Sequence, residues 1–242
     1  MKRLFDITVS FLGLMLTVLF LIPICVLIWL QDFHSPFYIA PRVGKDGKIF
    51  KMVKLRSMII DADKTGVDST SSQDKRITPI GRFVRAYKLD EIPQLWNVLK
   101  GEMSFVGPRP NVKREVDLYT EIESNLLTVQ PGITDISSIV FSDLNDILKN
   151  SQDPNLDYNQ LVRPWKSRLS LVYVENQSFW LDIRLIFLTA VALVSRPLAL
   201  EGVNKILLEL DVDKELCQIA SRQTELYAFP PPGASDIVRS RG

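Results

Sequence analysis

An aspartate and a glutamate stand side by side at Asp90 and Glu91, bracketed by Arg82, Arg85 and Lys88 on one side and Arg109 on the other. Pro93 follows the pair, and then comes the apolar run Leu95, Trp96, Val98 and Leu99. Proline suits the first turn of a helix, where its missing N–H is not needed. The sequence therefore predicts a helix starting at about Asp90 or Glu91, with both carboxylates near its N-terminus. The helix dipole favours a carboxylate there by roughly 0.3–1 kcal/mol. An ordinary aspartate, with a pKa of about 3.9, is already ionised at neutral pH. Asp90 needs no tuning to act as a nucleophile; it needs a partner that tolerates two adjacent negative charges. The rigid turn Gly107-Pro108-Arg109-Pro110 then aims one arginine from a short apolar strand, Met103 to Val106. Carboxylates, arginines and a helix N-terminus together suit a phosphate-bearing substrate with a divalent metal. A plain N-cap role for Asp90 is the competing reading, and the residues alone leave it open.

Composition narrows the chemistry further. His34 is the sole histidine among 242 residues, which removes Ser-His-Asp, Cys-His and multi-histidine metal catalysis together. Cys25 and Cys217 lie far apart, without a metal-ligand spacing or a disulfide framework. The formal net charge is +1, so no global basic field points to nucleic acid.

Several elements must position these residues. Ile7 to Leu30 carries no charge, and about 20 such residues suffice to span a bilayer. Lys2 and Arg3 precede it, while Arg42, Lys45, Lys48, Lys51, Lys54 and Arg56 follow; positive residues mark cytoplasmic flanks, and here both flanks are positive. Pro23 frees the carbonyl of Leu19, at roughly 3 kcal/mol in a straight helix. A re-entrant helix that breaks near Ile22-Pro23 and returns to the same face satisfies both observations; a spanning helix is the alternative. Pro36 to Met58 alternates apolar and polar residues around Asp46-Gly47, a hairpin signal. Residues 59–77 are polar and read as a loop over the site or a tolerated insertion. After Pro79, helical spacing of Ile80, Phe83, Val84 and Tyr87 predicts a buried face. Asn111 to Leu127 reads as a helical scaffold. Trp165 to Tyr173 and Phe179 to Val194 are the last apolar elements, with Trp165 and Trp180 as candidate interface anchors. Beyond Pro197 the sequence predicts one amphipathic helix over about 205–226, then a proline-rich end whose composition suggests disorder.

The run KLDEIPQLWNVLKGEMSFVGPRP at 88–110 resembles the signature of the bacterial sugar transferases, the small monotopic phosphoglycosyl transferases. MKRLFD at 1–6, FKMVKLRSM at 50–58, TPIGRFVR at 78–85 and PGIT at 131–134 fit the same family in the same order. The resemblance covers about residues 1–200 and is very specific. It implies an enzyme that moves a sugar 1-phosphate from a UDP-sugar to undecaprenyl phosphate through a covalent phosphosugar on Asp90, releasing UMP. Glu91 would hold Mg²⁺, Arg85 and Arg109 would clamp phosphate oxygens, and Lys54 and Arg56 would support them. The implied location is the cytoplasmic face of the bacterial inner membrane, and the implied role is to start capsule, exopolysaccharide, O-antigen or glycoprotein glycan assembly. The family's re-entrant helix breaks at a Ser-Pro pair, and Ile22 stands here in place of the serine. After PGIT the family's glycine, tryptophan, glutamine and later Gly-Arg are replaced by Asp135 to Asp143. The expected fold is α+β and mainly helical. A re-entrant element (1–34) leads into a catalytic domain (35–200) with a small β-hairpin and interfacial amphipathic helices, followed by a partly disordered tail (201–242). A membrane-tethered scaffold with a degenerate site and a lipid phosphatase are the competing functions.

Overall fold

A computed structural model describes residues 1–62 and 74–239, so part of the loop read over 59–77 lies outside the described residues. The chain is mainly helical with two small sheets. Helix α1 runs over Lys2–Leu30, through Pro23 rather than breaking there. The proline removes one hydrogen bond, while Leu21, Ile24, Cys25 and Ile28 pack around Leu55 and Val84 and keep the following turns helical. One stripe of α1 faces the protein, with Asp6, Ser10 and Ile28 buried. Its other side exposes Phe11, Leu12, Met15, Leu16, Leu19 and Phe20.

Both ends of α1 are tied down. Lys2 Nζ lies 2.6 Å from Asp182 and donates to the Val106 carbonyl at 3.0 Å. Arg3 donates to the carbonyls of Val98 and Leu99 at 2.6 and 2.7 Å. At the far end Arg56 donates to Asp32 Oδ1 at 2.7 Å and to the Ile28 carbonyl at 3.3 Å.

Strands β1 (Phe37–Val43) and β2 (Ile49–Leu55) form the expected antiparallel hairpin, paired from Phe37↔Leu55 to Val43↔Ile49. Asp46 and Gly47 take the positive φ angles, 55° and 73°, that an Asp-Gly turn supplies. Helix α2 (Pro79–Ala86) starts at Thr78, whose side chain accepts from Gly81 N. Its buried side is narrower than predicted: Val84 is buried, whereas Phe83 and Tyr87 are 53% and 66% exposed. Gly81 explains the orientation, because a Cβ there would lie 1.9 Å from the Ser57 carbonyl oxygen. The helix therefore presses its glycine side against the hairpin's exit and turns Phe83 and Tyr87 outward.

Helix α3 (Gln94–Lys100) packs on β2 through Asn97, which donates to the Lys51 carbonyl at 2.7 Å and accepts from Val53 N at 3.0 Å. Strand β3 (Ser104–Val106) follows; the predicted helix over 111–127 is only α4 (Lys113–Val116) and a 3₁₀ run at Glu123–Thr128. Strand β4 (Gly132–Thr134) pairs parallel to β3. The pairing needs two glycines in contact: a Cβ on Gly107 would meet Gln130 O at 2.2 Å, and one on Gly132 would meet Gly107 N at 2.1 Å. The Gly-Pro-Arg-Pro turn and the PGIT segment are thus held backbone to backbone.

Helices α5 (Ile136–Val140), α6 (Leu144–Ile147) and α7 (Pro154–Asp157) lead to the long helices α8 (Arg163–Glu175), α9 (Phe179–Val194) and α10 (Arg196–Glu209), with α11 (Lys214–Ala220) last. The main core joins Ile136, Ile139 and Val140 to Trp165, Leu169, Leu185, Val203 and Ile206. Trp180 is 75% exposed, but Trp165 is 1% exposed and stacks on Phe229 with ring centroids 4.5 Å apart, so it anchors the core rather than an interface. The tail forms two helices, α10 and α11, instead of one over 205–226. Where composition suggests disorder, the chain after Ala220 runs against α8 and the turn before it: Phe229 N donates to Gln160 O, and Arg168 donates to Pro230 O at 2.9 Å.

Candidate active site

After α2 the chain turns on Lys88, whose φ of 56° is left-handed, into a 3₁₀ turn at Leu89–Glu91. The α-helix begins only at Gln94, after Pro93, so the two carboxylates precede the helix rather than opening it. Pro93 is the reason, since it has no N–H to donate to the Leu89 carbonyl, which instead accepts from Ile92 N at 3.3 Å in a 3₁₀ turn. Among the described residues, neither turn nor helix has a side-chain cap from Asp90, which removes the N-cap reading.

The two neighbours have opposite surroundings. Glu91 is gripped from two sides: Lys54 Nζ lies 3.3 Å from Oε1, and Arg109 pairs with both carboxylate oxygens, Nη1 reaching Oε2 at 3.3 Å. Arg109 also donates to the Ile133 carbonyl at 3.4 Å, which fixes the fork against β4. Burial opposes ionisation of Glu91, but the charges of Arg109 and Lys54 win and hold its carboxyl far below the usual range. The same ion pair raises the Arg109 pKa. Burial lowers that of Lys54 despite Glu91. Asp90 makes no hydrogen bond or ion pair among the described residues. Burial raises its pKa, and Glu91 adds to the rise while Lys54, Arg85 and Arg109 oppose it.

Asp90, Lys54 and Arg85 line one cleft of about 460 Å³, together with Tyr38, Arg42 and Arg56. Its lip is apolar, with Phe37, Ile39, Ile59 and Ile60 exposed. Arg109 meets the site from the other side, through Glu91. Of the four predicted cations, three therefore converge on Asp90 and Glu91. Arg56 differs: it is 7% exposed, and its guanidinium is committed to Asp32 and the carbonyls of Ile28 and His34. It ties α1 to β2 and leaves little of the fork for a substrate. Pro23 lies in the part of α1 that packs beside Leu55 and Val84, on the elements that carry Lys54 and Arg85.

The departure after PGIT is structural. Asp135 is buried and accepts from Ser138 N at 2.7 Å, Ser137 Oγ at 2.9 Å and Ser170 Oγ at 2.5 Å. Ile136, Ile139, Val140 and Phe141 enter the core, and Asp143 pairs with Arg196 and Arg222. Sequence reasoning missed Lys166 on α8, which lines a second cavity with Arg109. Burial and the neighbouring Arg109 push its pKa down to about 8. The available signal was the spacing of Arg163, Lys166, Ser167 and Ser170, a polar stripe on an otherwise core helix.

No group of three or more His, Cys, Asp or Glu side chains suits a metal ion among the described residues. Mg²⁺ commonly binds one or two carboxylates and completes its shell with water and substrate phosphates; the pair supplies two adjacent carboxylates, with both oxygens of Glu91 already engaged by Arg109 and Lys54. Glu91 is ionised at any working pH, and Asp90 is open to the cleft.

The model of the bacterial sugar transferase family matches residues 1–196. A galactosyl transferase of Streptococcus agalactiae is 35% identical over 202 residues, covering 78% of this chain and 41% of the relative. An undecaprenyl-phosphate galactose phosphotransferase of Salmonella typhimurium is 33% identical over 216 residues, 81% of this chain and 41% of its own. An uncharacterized sugar transferase of Bacillus subtilis is 33% identical over 205 residues, 85% of this chain and 91% of its own. The chain thus spans about two fifths of the length of the first two relatives.

Proposed function

This chain belongs to the bacterial sugar transferase family, and we propose that it transfers a sugar 1-phosphate from a UDP-sugar to undecaprenyl phosphate. The observation that carries the reading is the asymmetry of the acidic pair: Glu91 is locked between Lys54 and Arg109, while Asp90 faces the cleft and makes no hydrogen bond or ion pair among the described residues. A desolvated carboxylate with no hydrogen bonds to break is suited to attack, and the cations around it suit an incoming diphosphate.

In the proposed reaction an Asp90 carboxylate oxygen attacks the sugar-bearing phosphorus. The phosphoanhydride bond breaks, and its electron pair leaves on the phosphate of UMP. An oxygen of undecaprenyl phosphate then attacks the same phosphorus, and the bond to Asp90 breaks with its electrons returning to the carboxylate. Arg85 and Lys54 hold phosphate oxygens from the cleft side, and Arg109 holds them from beyond Glu91. Glu91, with substrate phosphates, would hold Mg²⁺, which neutralises charge on the diphosphate. Splitting the transfer suits a water-soluble donor and an acceptor that stays in the membrane.

The exposed face of α1 supports membrane association, and the anchoring of this unbroken helix at both ends on one domain supports a helix lying along the membrane face over a spanning or re-entrant one. A helix crossing the bilayer would carry one end away from Asp182 or from Arg56. Two charged contacts on one domain therefore favour the cytoplasmic face for the whole chain.

The test is UMP release from a panel of UDP-sugars with undecaprenyl phosphate, using protein purified with its membrane helix. Asp90→Asn should eliminate both UMP release and labelled phosphosugar on the protein. EDTA should abolish turnover and Mg²⁺ restore it. Free phosphate in place of UMP would instead support a lipid phosphatase. Label retained on Asp90→Asn but lost from Glu91→Gln would reverse the two roles.

A further inference from the structure

Behind Arg109 lies a second cavity, separated from the Asp90 cleft by the Lys54–Glu91–Arg109 bridge. It is small, about 30 Å³, and is lined by Arg109, Asn111, Tyr119, Tyr158, Lys166 and Ser170 among others. Lys166 is the cation there that makes no direct ion pair among the described residues. Its Nζ lies 5.9 Å from the Tyr158 ring centroid and makes no hydrogen bond or ion pair among the described residues. The other charges are already used. Arg163 pairs with Glu123 at 2.6 Å, and Asp135 accepts from Ser137, Ser138 and Ser170. Glu115 also lines the cavity but makes no ion pair with Lys166. Asp135, Glu115 and Glu91 attract Lys166 from a distance, but a cation desolvated beside another cation and in direct contact with no anion is costly and is relieved by one.

We propose that this cavity is a subsite for a phosphate monoester, held between Arg109 and Lys166. The space is that of a few waters, enough for phosphate oxygens with little adjustment, so the rest of the ester would lie outside it. At pH 7 Lys166, with its pKa near 8, is mostly charged and ready for a dianion. The proposal rests on the transferase reading, in which two phosphate monoesters occur: the released nucleoside monophosphate and the polyprenyl phosphate acceptor. On either source, the phosphate would be drawn to the far side of Glu91 from Asp90, which separates an arriving or leaving group from the nucleophile.

The test measures binding to the full-length protein in detergent by calorimetry, with UMP, uridine, geranyl phosphate and geraniol as probes. Lys166→Met should weaken at least one phosphate by about ten- to a hundredfold, the usual worth of a charged hydrogen bond. Lys166→Arg should retain most of that affinity. The weakened phosphate identifies the source: UMP for the leaving group, geranyl phosphate for the acceptor. The alcohols should bind Lys166→Met as they bind the wild type, which also certifies its fold. Unchanged affinity for both phosphates, or an equal loss for uridine and UMP, overturns the subsite. Loss of UMP affinity in a protein whose wild type transfers no sugar phosphate would keep the subsite and sink the transferase reading instead.

Discussion

Replacing each of the adjacent carboxylates by its amide should move stability in opposite directions. Glu91 is buried between two cations, with side-chain exposures of 18% for Glu91, 19% for Lys54 and 31% for Arg109. Removing one partner of a fully buried pair costs about 3–5 kcal/mol. With solvent still reaching these groups, about 2 kcal/mol is the expected loss for Glu91→Gln. For a chain of this size that lowers Tm by about 4–8 °C. Asp90 has no hydrogen-bond or ion-pair partner among the described residues, and burial raises its pKa, so its ionised form costs stability at neutral pH. Asp90→Asn should raise stability by about 1 kcal/mol, or about 2–4 °C. The pH dependence follows from the signs. The folded pKa of Glu91 is depressed, so its stabilisation is complete above the unfolded value of about 4.3 and fades as pH falls below it. The folded pKa of Asp90 is raised, so its cost is absent below about pH 3.9 and grows as pH rises through the folded value. Both differences should therefore be large at pH 7 and shrink near pH 3.5. Thermal melts in detergent with EDTA, at both pH values, are the assay. Equal destabilisation by both amides at pH 7 would refute the reasoning, because it would make Asp90 a structural carboxylate.

Gly107→Ala should abolish folding or cost more than about 3 kcal/mol, because the new Cβ meets backbone and not a movable side chain; soluble yield and a melt check it. Arg56→Met should lower Tm by a few degrees with little change in donor KM, since its partners belong to α1. A raised KM at unchanged Tm would restore it as a phosphate ligand. Leu4→Cys, at an exposed position and in a background lacking Cys25 and Cys217, should resist an impermeant thiol reagent outside intact cells. Labelling from outside would make α1 a spanning helix.

Local chemistry made part of this fold legible. The Asp46-Gly47 turn, the helix after Pro79, and the apolar runs of α8 and α9 each act over a few residues and appear where the sequence puts them. The candidate site was legible through its motifs, which name Asp90, Glu91 and Arg109 but not which carboxylate is locked. Partner choice across long separations was not legible. Arg56 carries the same charge as Lys54 two residues earlier, and only the fold gives one to Asp32 and the other to Glu91. Trp165 reads as an anchor until Phe229 is brought onto it. The start of α3 was displaced to Gln94 because Pro93, read as a first-turn residue, stands just before the helix.

Helix α1 is fastened near both ends, by Lys2 to Asp182 and by Asp32 to Arg56. With its outer face in a bilayer, such a helix gives the domain no hinge and no tether length. Asp90 would ride at one fixed height above the acyl chains. A lipid phosphate diffusing in the plane then meets the cleft by lateral motion alone, and its head group needs no excursion into water. Encounter with the acceptor would depend on surface density rather than bulk concentration, so dilution of the protein into larger vesicles of equal lipid composition should leave acceptor turnover unchanged, while dilution of the acceptor within the lipid should slow it.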